Sequence, residues 1–151
     1  MSFFGILVIP SASAVDVTGT VTLLGVCGVT PVTGSPIVYG VVAPYTESSE
    51  QTLSITNPGN VQSSISVKGT AWNAVAGPTG VMLVGSTHYT TSSAQPYSSK
   101  TALTGTDASL TTLTPLQTKN SFWQLKTDLV SGNADFVGAA TQTVTLTASC
   151  P

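Results

Sequence analysis

Arginine is absent from this 151-residue chain, and its only fixed positive charges are Lys68, Lys100, Lys119 and Lys126. With Asp16, Glu47, Glu50, Asp107, Asp128 and Asp135 as the acids, the formal net charge is −2. Four scattered lysines make no basic face to neutralise phosphates, so nucleic acid is not an expected partner. Histidine occurs once, as His88. One imidazole cannot build a His-rich metal centre, and no G-x-S-x-G elbow accompanies it as a Ser–His–Asp relay would require. His88 is therefore read as a strand-surface residue. The glycine patterns that cradle dinucleotides and phosphates, G-x-G-x-x-G and the P-loop, are missing, and no cofactor is expected. No apolar run approaches the about 20 residues that a helical membrane span needs. Helical periodicity over 11 or more residues is missing too, which removes helix bundles from the candidate folds.

Charge is scarce. Only 7% of residues are charged, against about 25% in an ordinary soluble domain. Their place is taken by Ser and Thr, roughly three residues in ten, well above usual usage. Thr is β-branched and suits the outer face of a sheet. A surface solvated by hydroxyls rather than charges opposes self-association weakly, which suits a subunit that packs against copies of itself. O-glycosylation is the alternative use of such a surface. No Asn is followed two places on by Ser or Thr, so no N-glycosylation sequon exists.

What remains is alternation. From residue 15 to 27 the odd positions carry Val15, Val17, Gly19, Val21, Leu23, Gly25 and Cys27, with Asp16, Thr18, Thr20 and Thr22 between them. A period of two marks a half-buried strand. The terminal TQTVTLTASC repeats it, with Val144, Leu146, Ala148 and Cys150 facing one way. Residues 37–43 (IVYGVVA) are almost continuously apolar, as in a central strand. QTLSIT (51–56) and VQSSISVK (61–68) flank Asn57-Pro58-Gly59-Asn60, which predicts a hairpin or a tight strand-to-strand corner. Further strands are predicted at 81–84, 87–91, 110–113 and 121–129, and residues 92–106 read as a long surface loop. Short strands with turns every 8–12 residues predict one all-β domain, an antiparallel β-sandwich with jelly-roll-like character.

The start resembles an export signal. Residues 3–9 (FFGILVI) form a short apolar run before Pro10, and Ala12 and Ala14 match an A-x-A cleavage pattern. This divides the chain into a signal-like segment 1–14 and a domain 15–151, secreted or at the cell surface, although no Lys or Arg precedes the run. In an exported protein the even count of two cysteines favours a Cys27–Cys150 disulfide, with a pair of buried thiols as the alternative. If the mature chain starts at Val15, residues 15–24 either complete their own sandwich or add to the sheet edge of another copy. Insertion would bury Val15, Val17, Val21 and Leu23, worth roughly 6–12 kcal/mol before ordering costs. Such head-to-tail contacts do not close, and they generate filaments. If residues 1–14 are retained, residues 3–9 become the rival donor.

Catalytic groups are few. Glu47 and Glu50 sit in a solvated TESSE stretch, and Asp128 and Asp135 flank a loop with the option of a Ca²⁺ ion, although the EF-hand spacing is absent. No metal site and no enzyme activity are expected. Trp72, Trp123, Tyr39, Tyr45, Tyr89 and Tyr97 suit core packing better than a glycan-stacking platform.

The Thr-rich V-x-V-x-x-x-V start, TLSITNPGN, SFWQLK and the terminal TQTVTLTASC together resemble archaeal bundling pilins, related in fold to the bacterial TasA/camelysin biofilm matrix proteins. The resemblance implies a jelly-roll subunit whose N-terminal strand complements its neighbour. It assigns the donor role to Val15, Val17, Val21 and Leu23 and implies an extracellular filament used in adhesion, bundling or biofilm. The competing expectation is a monomeric secreted or surface-layer module that binds a glycan or a protein.

Overall fold

The computed structural model describes residues 20–21, 24–74, 81–127 and 139–151. Within them the chain is all-β: β1 (Thr30–Thr33), β2 (Gln51–Thr56), β3 (Ser63–Gly69), β4 (Trp72–Ala74), β5 (Val81–Met82), β6 (Thr87–Thr90), β7 (Thr101–Ala102), β8 (Ala108–Leu113), β9 (Thr118–Leu125), β10 (Ala140–Thr141) and β11 (Val144–Ser149). All pairings are antiparallel. One sheet has the order β1-β2-β9-β6-β7, and it faces a second of order β11-β3-β8. Beyond Thr70, the small sheet β10-β4-β5 prolongs the second sheet, because the Thr70 N–H donates to the Thr143 carbonyl at 3.0 Å.

The frame is a two-stranded ribbon folded across both sheets. β2 pairs with β9 from Gln51↔Trp123 to Thr56↔Thr118, and β3 pairs with β8 starting at Ser63↔Leu113. Both ribbon strands therefore change sheets at one end, at residues 57–62 and 114–117. The Asn57-Pro58-Gly59-Asn60 turn is thus a corner between sheets and not a hairpin. Folding a ribbon over itself in this way is the winding of a jelly roll.

Alternation, with a β-bulge at Leu110 that lets both Leu110 and Leu113 face inward, then determines what lies between the sheets. Leu53 and Ile55 from β2, Ile65 and Val67 from β3, Leu110 and Leu113 from β8, and Trp123 from β9 form the core with Tyr89 and Leu103. Ser121 shares this buried face because its hydroxyl donates to the Leu53 carbonyl (3.1 Å) and accepts from Trp123 Nε1 (2.8 Å). Tyr89 has no such relief, since its buried hydroxyl lacks a hydrogen-bond partner among the described residues. Tyr89→Phe removes that uncompensated group, and it is expected to raise stability by about 1 kcal/mol in urea denaturation.

Three sequence expectations are corrected. Residues 37–43 form no strand, because Gly40 adopts φ +72° and breaks the alternation after Tyr39. Ile37, Tyr39 and Val42 are half-buried, while Val38 and Val41 are exposed. Of the expected first strand, residues 20–21 and 24–27 are described and none of them is in a strand, the first strand among the described residues being β1 from Thr30; Val15, Val17 and Leu23 lie outside the described residues. Finally, residues 92–106 are no simple surface loop. Tyr97, Lys100 and Leu103 are buried, and β7 lies within the stretch.

Candidate assembly surface

The N-terminal segment is rooted at the folded end of the ribbon. Asn57 is fully buried there. Its Oδ1 accepts from the N–H groups of Gly59 (3.0 Å) and Gly28 (3.2 Å), and its Nδ2 donates to the Val61 carbonyl (2.7 Å). Asn60 grips the same segment one turn out: its Oδ1 accepts from the Val26 N–H at 2.7 Å and its Nδ2 donates to the Leu24 carbonyl at 3.0 Å. A Cβ on Gly59 would lie 1.9 Å from the Val26 carbonyl oxygen, so only glycine allows this approach. TLSITNPGN is therefore more than a turn, because its two Asn side chains clamp residues 24–28 to the corner.

A covalent tie completes the root. Cys27 and Cys150 form a disulfide with Cα atoms 5.6 Å apart. The bridge is less inward than the alternation predicts, since Cys27 is half-buried and Cys150, just past the end of β11, is exposed. Upstream of it the segment shows apolar side chains to solvent: Val21 is 82% exposed and Leu24 79%.

Along the open side of the sandwich runs an apolar groove. Its wider part, about 720 Å³, is lined by Ile37, Tyr39, Val41, Trp72, Met82 and Leu125 among others. A second part, about 430 Å³, shares Ile37, Tyr39, Trp72 and Ala140 and reaches Leu53, Val144 and Leu146. Tyr39 and Trp72 meet edge to face between the two parts, with ring centroids 5.8 Å apart. One wall is β11, which among the described residues pairs only with β3 and offers its other edge along six residues.

Register places root and groove at opposite ends. β2 runs toward the folded corner, whereas β3 and β9 run away from it toward Trp72 and Leu125. The exposed large apolar residues divide the same way. Leu24, Val26 and Leu116 mark the corner end, while Val38, Val41, Tyr45 and Leu83 gather at the groove end. Of the groove residues the sequence marks Tyr39 and Trp72, within the aromatic set weighed as a glycan-stacking platform, and its apolar run at 37–43 reads as a central strand.

The remaining candidates are structural. His88 stacks on Tyr97 at 3.9 Å between centroids, and its Nδ1 lies 3.0 Å from the Tyr97 carbonyl. Trp123, Tyr89, Tyr97 and Trp72 are buried, Tyr39 is half-buried and Tyr45 is exposed. Asp128 and Asp135 lie outside the described residues, and among the described residues no group of three or more His, Cys, Asp or Glu could hold a metal. No helix among them is long and apolar enough to cross a membrane. That finding and the disulfide are compatible with a secreted protein.

Lys100 was missed as well. Its buried ammonium contacts Glu50 Oε2 (2.8 Å), Gln124 Oε1 (2.6 Å) and the Gln95 carbonyl, clipping residues 95–100 onto the first sheet. Burial alone would push the Glu50 carboxyl up. The hydrogen bonds from Lys100 and the Ala94 N–H, together with the Lys100 charge, outweigh it and hold Glu50 below its ordinary value of 4.5. A carboxylate with a depressed folded-state pKa contributes stability that is present above 4.5 and lost as pH falls through the folded value. Glu50→Gln is expected to cost about 2 kcal/mol at pH 7 and to flatten the acid limb of the stability profile, as measured by denaturation between pH 7 and 2. A comparison with known protein families and with curated proteins finds no match to this chain.

Proposed function

We propose that this chain is the structural subunit of an extracellular filament, in which the N-terminal strand of one copy complements the groove of the next. The observation that carries the proposal is the polarity of the exposed apolar surface, with the rooted N-terminal segment at one end and the open groove at the other. Contacts between unlike ends of identical molecules are heterologous and propagate without closing. Val15, Val17, Val21 and Leu23 supply the inserted side chains, residues 15–24 supply the strand, and the edge of β11 accepts its backbone. The scarcity of charge removes the repulsion that keeps ordinary domains apart. Adhesion, bundling and biofilm support are the roles that fit such a filament.

Electron microscopy of the secreted chain with and without residues 15–24 tests this. The full chain should form filaments, and the deletion should give a folded monomer. A full chain that stays monomeric at every concentration would instead favour the monomeric module that binds a glycan or a protein.

A further inference from the structure

Residues 37–43 meet only part of what a central strand requires. Such a strand has both faces covered and its backbone paired on both sides. Here one face is covered, by Ile37 and Tyr39 packed toward the core. The other is bare, with Val38 66% exposed and Val41 fully so. Among the described residues no backbone hydrogen bond reaches residues 37–42; the first in this stretch is from the Thr46 N–H to the Ala43 carbonyl, at 3.2 Å. Six consecutive peptide units beside an apolar groove are thus free to pair with another strand, and the two solvent-facing valines leave apolar surface uncovered.

We infer that residues 37–42 are the second wall of the acceptor groove and become a β-strand on assembly, paired with residues 15–24 of another copy. The inference rests on the proposed filament and deepens it, since it names a surface that the edge of β11 alone does not provide. The choice of occupant follows from sequence outside the described residues. Residues 75–80 (VAGPTG) and 128–138 (DLVSGNADFVG) show no sustained alternation, and residues 3–9 (FFGILVI), in the signal-like segment, are apolar without it, whereas residues 15–24 alternate Val15, Val17, Val21 and Leu23 with Asp and Thr. An alternating strand between two walls turns its apolar side chains into the groove and its hydroxyls outward. Head-to-tail placement of root and groove makes a neighbouring copy the donor.

Hydrogen exchange on the full chain, as monomer and as filament, together with Val41→Asp, tests the inference. Val41 has no contact to lose in the monomer, so the substitution should leave the unfolding midpoint unchanged. It should raise the concentration needed for assembly about tenfold or more. Amides of residues 37–42 should exchange about 100-fold more slowly in filaments than in monomers. If filaments form and need residues 15–24, yet these amides exchange at monomer rates, the inference is overturned while the filament stands. Protection already present in the monomer also overturns it, since the wall is then filled by its own chain. A chain that never assembles overturns both.

Discussion

Asn57→Ala is expected to lower the unfolding free energy by about 4 kcal/mol. The substitution deletes an amide and leaves its partners behind. The Gly28 and Gly59 N–H groups lose their acceptor, and the Val61 carbonyl loses its donor at 2.7 Å. Each of these sits at the ribbon fold, where Asn57 is itself fully buried, and each orphaned group costs about 1–3 kcal/mol. The Asn57 backbone also bridges the two folded strands, donating to the Gln117 carbonyl at 3.1 Å and accepting from the Leu116 N–H at 2.9 Å. Asn57→Asp keeps the Oδ1 acceptor but puts a second oxygen where the Nδ2 donor faces the Val61 carbonyl, so it should be no milder at pH 7. Urea denaturation measures both. A cost below about 1 kcal/mol for Asn57→Ala would mean that packing alone holds the corner.

Opening the Cys27–Cys150 bridge should cost about as much by a different route. The bridge spans a sequence separation of 123, and in the chain-entropy account such a loop stabilises by about 4–5 kcal/mol by restricting the unfolded chain. For a domain of this size that corresponds to a fall of roughly 10–20 °C in Tm. Because Cys150 is exposed, dithiothreitol should reach the bond without prior unfolding. Alkylation without reductant should label neither cysteine, and Cys27→Ser with Cys150→Ser should reproduce the reduced Tm. The two losses should not add fully. Cys27 adjoins Gly28, a partner of Asn57, so cutting the bridge already loosens part of what Asn57 holds.

Much of the fold was legible because period two is a local signal. Leu53, Ile55, Ile65, Val67 and the face carrying Val144, Leu146 and Ala148 follow from alternation alone, and the Asn-Pro-Gly-Asn turn follows from backbone chemistry. The side on which the chain leaves that turn was not legible, since a hairpin and an inter-sheet corner use the same residues. Lys100 was hidden for a similar reason. A lone Lys in a Ser-rich stretch reads as solvated until Glu50, 50 positions earlier, is folded against it. Residues 37–43 misled because apolar content predicts burial but says nothing about whether a partner strand is present.

By itself, then, the sequence determined an all-β, charge-poor chain with alternating strands and two cysteines, because these depend on side-chain type and spacing along one segment. Only the tertiary structure decided that the cysteines pair, that the ribbon folds at Asn57, and that the N-terminal root and the apolar groove lie at opposite ends. Those features depend on which distant strands hydrogen-bond and in what register, which is settled by the packing of the whole domain.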